Sequence, residues 1–324
     1  MFAEAIEVLL RDQCTPEKVR AIEGGASPTP LWSAFADAGF LELMRPESEG
    51  GAELPLPELW PLLQAFGRHA MPLPLAQSIG ARALVGPGIE LPLEPMSFAP
   101  AIERDADGRL VCHRVPDGAR ADFVLAAEPS RLLLIDSRDA RREPAGGSVA
   151  TLIWEGAQPA WVVGDAARAK LLAPLGAAVH AAQMAGAMAR VFEMSLQYCN
   201  DRQQFGRPLG KFQAVQHQLA VMAEHVAAVS IASEAAFEAP AHVPEPLRAA
   251  IAKARASEAV PLVADAAHAL HGAIGVTAEY DLQIFTRRLR EWRGAHGSEA
   301  HWNRVVGAAL LASNQSASAF VRAI

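Results

Sequence analysis

The sequence predicts an α+β fold that is mostly α, with an N-terminal helical domain, a small antiparallel β domain and a C-terminal four-helix bundle. Three observations predict it. Residues 1–95 carry helical stretches jointed by proline and glycine. Residues 96–163 switch to short β-rich runs. From about Asp165 the chain is alanine-rich, with apolar residues at helical spacing. These shifts set three domains, 1–95, 96–163 and 164–324, and a chain of 324 residues has room for two or three at roughly 100–200 residues each.

In the first domain, Leu31 to Gly39 reads as a helix ended by a glycine cap, and Pro46 to Gly51 as a turn. Leu54 to Gly67 is a second helix, and Met71-Pro-Leu-Pro74 breaks the chain. In the middle domain, Leu110–His113, Asp122–Ala126, Leu132–Ile135 and Val149–Trp154 read as strands. Turn residues such as Pro116-Asp-Gly118 and Gly146-Gly147 separate them. In the last domain, Val215, Leu219, Met222, Val226 and Val229 recur at steps of four and three, which stripes one face of a long helix. Further helices fit 177–200, 247–270 and 299–313. Pro261 is expected to kink or interrupt the second of these, and the short links favour an antiparallel bundle.

A net charge of −7 speaks against non-specific nucleic-acid binding, which requires a basic surface. One basic cluster, Arg287, Arg288, Arg290 and Arg293, reads either as a solvated helix face or as a site for phosphate-bearing ligands. Cys14, Cys112 and Cys199 are odd in number and far apart, so they give neither a disulfide framework nor zinc spacing. A reducing, cytoplasmic setting is expected. Met1 opens onto Glu4 and Glu7, which is unlike a signal peptide. Leu171 to Ala189 carries no formal charge but holds Pro174, His180 and Gln183, so a buried core helix is expected rather than a membrane span. Phosphate-loop, dinucleotide, di-iron, His-Glu-x-x-His and Gly-x-Ser-x-Gly patterns are all missing, and no metal site is expected.

The most informative segment is Arg202-Gln-Gln-Phe-Gly-Arg-Pro-Leu-Gly-Lys-Phe-Gln213. Its glycines and proline force a tight connection between two helices, and an arginine there can grip a pyrophosphate with two parallel hydrogen bonds. An ordinary inter-helix loop with a surface arginine reads the same way on physics alone. The string resembles the acyl-CoA dehydrogenase pattern of Arg-x-x-Phe-Gly followed by Phe-Gln and a helix. Arg45-Pro-Glu-Ser-Glu-Gly-Gly51, Phe66-Gly-Arg68, Pro72-Leu-Pro74 and His271-Gly-Ala-Ile-Gly275 with Glu279-Tyr280 extend the resemblance in order along nearly the whole chain.

That resemblance implies FAD as cofactor and an acyl-CoA thioester as substrate. The implied reaction is α,β-dehydrogenation, in which a carboxylate removes the α-proton and a hydride passes to the flavin, with an electron-transferring flavoprotein as acceptor. It implies cofactor contacts at Arg202, Gln204, Phe205, Gln213, His271, Gly272, Gly275 and Ser298, and a substrate contact at Gly297. The departures are as informative. Counting without gaps from Glu279-Tyr280 puts His296-Gly297-Ser298 where the family has Glu-Gly-Thr. Counting back from Arg202 puts Gly176 at the alternative base position, beside Ala177. His296 is then the one titratable group at a base position, with Glu299 three residues on. Residues 96–163 lack the Thr-Glu-Pro-x-x-Gly-Ser-Asp and Trp-Ile-Thr stretches that line the flavin ring, and Ala269 replaces a customary Gln. The diphosphate-facing parts are kept and the ring-facing parts are not. The chain therefore resembles the short subunit of heteromeric, α2β2-type bacterial acyl-CoA dehydrogenases, which pairs with a full-length subunit. Two alternatives stay open: a homomeric dehydrogenase with His296 as base, and a non-redox scaffold or CoA-binding protein.

Overall fold

A computed structural model describes residues 2–85, 88–99, 101–156, 160–238 and 241–324. Five helices open the chain: α1 (Phe2–Gln13), α2 (Pro16–Glu23), α3 (Thr29–Asp37), α4 (Leu56–Arg68) and α5 (Leu75–Leu84). Helix α2 starts where Thr15 accepts from the backbone N–H of Lys18 and Pro16 presets the first turn. Beyond α3 the chain turns at Gly39, whose φ of 79° is left-handed. Helix α5 begins directly after Pro74, where the sequence shows only a break. It is buried on nearly every side, so no polar face marks its period.

Eight strands follow: β1 (Met96–Ala99), β2 (Glu103–Arg104), β3 (Leu110–Val115), β4 (Phe123–Glu128), β5 (Arg131–Asp136), β6 (Arg141–Pro144), β7 (Ala150–Trp154) and β8 (Ala160–Asp165). They form two four-stranded sheets, ordered β1-β4-β5-β8 and β2-β3-β7-β6. Pairing is antiparallel as expected, except that β1 runs parallel to β4, since the chain crosses into the second sheet between them. The strand alternation divides two cores. Val124, Ala126, Leu133 and Ile135 meet Cys112, Leu152 and Trp154 of the other sheet. Phe123, Leu125, Leu132 and Leu134 join the helical core.

The remainder is helical: α6 (Ala166–Asp201), a hairpin of β9 (Gln203–Gln204) and β10 (Arg207–Pro208), α7 (Gln213–Ala235), α8 (Pro246–His271), α9 (Leu282–Gly294), α10 (Glu299–Ser313) and α11 (Ala317–Ala323). Helix α6 starts well before the expected 177, where Asp165 accepts from the N–H of Arg168. Its uncharged stretch is the central core helix, with 89% of its most apolar window buried. Pro261 does not interrupt α8, which continues through it. Tertiary packing outweighs the one lost backbone hydrogen bond there. The stripe on α7 faces inward, with Leu219, Met222 and Val229 buried and Val215 and Val226 packed against the core. Helices α4 and α6 touch backbone to backbone. A Cβ on Gly67 would lie 1.8 Å from the Gln183 carbonyl, and one on Gly186 would lie 1.9 Å from that of Gln64.

Candidate functional site

The expected site residues gather in two places. The first is the hairpin after α6. Strands β9 and β10 pair Gln204 with Arg207 across a two-residue turn, Phe205-Gly206, whose φ values are 52° and 79°. Two positive φ angles define the turn type that matches hairpin twist, and only Gly206 adopts one freely. The strained turn holds the Phe205 ring out of the protein at 91% exposure. The Leu209 N–H closes the loop onto the Arg202 carbonyl at 2.9 Å, and the Arg207 guanidinium sits 4.0 Å over the Phe212 ring. Arg202, Gln204 and Gln213 are all exposed, and among the described residues Arg202 has no ion pair. It is an open cation on the surface.

The loop from His271 to Gly275 lies against the same end of α6. The Tyr198 hydroxyl donates to the His271 carbonyl at 3.3 Å, and the two rings stack 4.5 Å apart. His271 Nδ1 faces the Ala267 carbonyl at 2.8 Å, so that nitrogen carries the proton, and Nε2 accepts from the Tyr280 hydroxyl at 3.2 Å. Burial lowers the pKa of this imidazole and keeps it neutral. His271 is thus committed to holding the loop. What faces outward is backbone: Gly272 is exposed, with φ 64°, while Gly275 is buried against Leu282.

His296, Gly297 and Ser298 lie elsewhere, in the turn between α9 and α10. His296 and Gly297 have φ values of 51° and 101°, and the Trp302 indole N–H donates to the His296 carbonyl at 2.9 Å. Lys253, wholly buried, donates to the carbonyls of Arg293 and Gly297, each at 2.9 Å, and to Ser257 Oγ at 2.7 Å. That clamp fixes the turn. Burial pushes the Lys253 pKa down to about 7, against an opposing pull from Glu299. The clamped turn drives the His296 ring into the core, where it is 6% exposed.

There the two counted base positions meet. A Cβ on Gly176 would lie 2.6 Å from His296 Cγ and 2.7 Å from Nδ1, so the imidazole fills the space a side chain at 176 would take. The His180 ring lies 5.1 Å away and that of Phe98 6.1 Å away. Both His296 nitrogens are buried with no hydrogen-bond partner. Burial holds its pKa well below 6.5, with His180 and Lys253 lowering it further. Burial also lowers His180 to about 4, although its Nδ1 donates to the Gly176 carbonyl at 2.9 Å. Glu299 is held in an ion pair with Arg293. Gly297 and Ser298 are half-buried, with the Ser298 carbonyl starting α10. Among the described residues no carboxylate is hydrogen-bonded to the His296 ring, and none stands at either counted position.

The space for a flavin ring and thioester beside these positions is therefore packed with Phe98, His180 and His296, which does not fit that end of FAD. At the Arg202 hairpin and the Gly272 loop an exposed guanidinium and exposed backbone are present instead. From Gly176 to Tyr198 is 22 residues of one helix, so the two groups stand about 33 Å apart at 1.5 Å per residue. Sequence reasoning missed Gln77, Asp117, Lys253 and Glu291. Gln77 donates to Asp117 at 3.3 Å, and Ser148 links Asp117 to Glu291. Lys253 sits in an alanine-rich run beside Arg255, and nothing in the sequence sets it apart from that neighbour.

Residues 169–311 match the model of the acyl-CoA dehydrogenase C-terminal domain. The chain is similar to acyl-CoA dehydrogenase IpdE2 of Mycolicibacterium smegmatis, at 31% identity over 305 residues and 92% of each chain. It is also similar to acyl-CoA dehydrogenase IpdE2 of Mycobacterium tuberculosis, at 30% identity and 92% of this chain. Among solved structures, a variant of the Tcur3481–Tcur3483 steroid ACAD superposes with a TM-score of 0.80 at 27% identity, covering 97% of this chain and 98% of that one. A chain of the ChsE4–ChsE5 complex from Mycobacterium tuberculosis has the same fold, with a TM-score of 0.84, 24% identity and 97% coverage of both chains.

Proposed function

The chain belongs to the acyl-CoA dehydrogenase family, and we propose that within it the chain is the base-less partner subunit of a heteromeric, FAD-dependent enzyme that dehydrogenates an acyl-CoA thioester. One observation carries this reading: the His296 imidazole is packed over Gly176, so both base positions are closed and neither holds a carboxylate. At the other end of α6 the Arg202 hairpin and the Gly272 loop are open.

When bound, the flavin supplies the hydride chemistry. This chain's own residues would bind and orient. Arg202, with Gln204 and Gln213 beside it, would hold the diphosphate of a flavin seated mainly in the partner. The exposed backbone at Gly272 would border it. Phe205, projecting from a strained turn, is shaped to enter an apolar recess of the partner. Exposed Ile231, Leu262 and Leu311 supply further apolar surface on α7, α8 and α10 for subunit contact. The pairing of Tcur3481 with Tcur3483 in one steroid ACAD supports a two-chain assembly and a steroid-derived acyl group. A cytoplasmic α2β2 enzyme passing electrons to an electron-transferring flavoprotein completes the reading.

The test is acyl-CoA-dependent bleaching of flavin absorbance, recorded on the isolated chain and on the chain co-purified with a full-length family member. Bleaching only in the co-purified sample is expected. Bleaching by the isolated chain would establish a homomeric dehydrogenase. A co-purified sample that binds acyl-CoA but no flavin would establish a non-redox role.

A further inference from the structure

Arg287 and Arg290 of the basic cluster on α9 are exposed, yet the cluster borders a cleft. Three of its arginines, Arg287, Arg288 and Arg290, line a cleft of about 500 Å³ between α9, the end of α2 and the loops of the second sheet. Arg114 and Arg120 enter the same cleft from the β domain. Five arginines therefore line one cleft in a chain whose net charge is −7. Two carboxylates stand among them, Glu23 and Glu291. Glu23 is used twice, by Arg287 at 2.7 Å and by the buried Arg288 at 2.8 Å. Arg290 pairs outward with Asp265. Among the described residues, Arg114 and Arg120 form no ion pair. Their guanidinium groups reach only the carbonyls of Ala145 and Ile22, at 3.4 and 3.5 Å.

The floor of the cleft is built rather than incidental. Glu291 accepts from the Ser148 N–H at 3.1 Å and also contacts the Ser148 hydroxyl. That hydroxyl lies 2.8 Å from Asp117 as well. A hydroxyl has one proton, so it donates to one of these two carboxyl groups at a time. Burial raises the Glu291 pKa, against the pull of Arg288 and the Ser148 hydrogen bonds. Gly147 makes this seating possible, since a Cβ there would lie 1.7 Å from Glu291 Oε2.

We propose that this cleft is a binding site for the diphosphate group of a nucleotide, gripped by Arg114 and Arg120 and backed by the α9 arginines. Planar guanidinium groups match phosphate oxygens two at a time. The two arginines without ion pairs balance a ligand charge of at least −2. The volume lies within the range of roughly 300–1,000 Å³ typical of small-molecule sites, so it accommodates more than a bare phosphate.

The test is calorimetric titration of the full chain with inorganic pyrophosphate, ADP and coenzyme A, at low and raised ionic strength. All three are expected to bind, more weakly at high salt. Arg114→Gln and Arg120→Gln should each weaken binding about tenfold or more. Neither side chain has an ion pair to lose, so melting temperature and circular dichroism should hold. Binding of ADP and coenzyme A tighter than pyrophosphate assigns a nucleotide, and coenzyme A tighter than ADP assigns the thioester carrier. No binding of any probe, or binding unmoved by both variants, overturns the proposal. Titrating an Arg202→Ala chain alongside removes the hairpin's own diphosphate contact, so binding that persists there and is lost with Arg114→Gln or Arg120→Gln belongs to the cleft and leaves the subunit role untouched.

Discussion

Adding one methyl group at Gly176 probes the closure over the two base positions. The new Cβ would lie 2.6–2.7 Å from three atoms of the His296 ring. That ring has nowhere to go, with His180 and Phe98 beside it and its backbone clamped by Lys253 and Trp302. Overpacking of this kind costs about 1–3 kcal/mol. Alanine in place of glycine inside a helix returns about 0.5–1 kcal/mol. Gly176→Ala should therefore lose roughly 0–2.5 kcal/mol in the native background. In a His296→Ala background the obstruction is gone and only the helical gain of about 0.5–1 kcal/mol remains. The double-mutant cycle should show a coupling of about 1–3 kcal/mol, read from urea unfolding of the four proteins at unchanged m-value. Additivity within about 0.5 kcal/mol would refute the contact, and with it the argument that His296 occupies the place of a base.

Three other outcomes follow from the same geometry. Phe205→Asp should weaken association with a full-length partner by about 2 kcal/mol or more, measured by sedimentation, while the isolated chain melts unchanged; equal affinity would remove the hairpin from the interface. Arg202→Ala should strip flavin from the co-purified complex, with retention falling about tenfold or more in an absorbance assay, and full retention would exclude it as a diphosphate contact. His180 and His296 are neutral when folded and titrate near 6.5 when unfolded, so the unfolded chain binds more protons below that pH. The part of the stability that depends on these two histidines should be full above pH 6.5 and fall as the pH drops toward 4. The shift of His180 to about 4 contributes about 3 kcal/mol at about 1.4 kcal/mol per pH unit, and a flat guanidinium-unfolding profile would contradict it.

Helices with a polar face and marked ends were legible in the sequence, and α10 falls at Glu299–Ser313 as its spacing predicts. Elements buried on all sides were not. Helix α5 has no polar stripe to set a period, and β8 exposes Trp161 and Val162 against the usual alternation. For the site, gapless counting put His296 and Gly176 at related positions, and the structure brings these residues, 120 apart in the chain, into contact. The polar line through Gln77, Asp117, Ser148 and Glu291 joins four distant segments, each carrying an unremarkable residue. No local pattern could have announced it. The arginine cluster was visible, but its two partners from the β domain depended on how the sheet packs against α9.

The central claim is that this chain supplies half of a flavin site and holds no flavin ring of its own. The most direct measurement is the number of FAD molecules per chain, from the absorbance ratio of the isolated protein and of its complex with a full-length family member. The account predicts no flavin on the isolated chain and one FAD for each pair of chains in the complex. Stoichiometric flavin on the isolated chain, or one FAD for every chain in the complex, would contradict it.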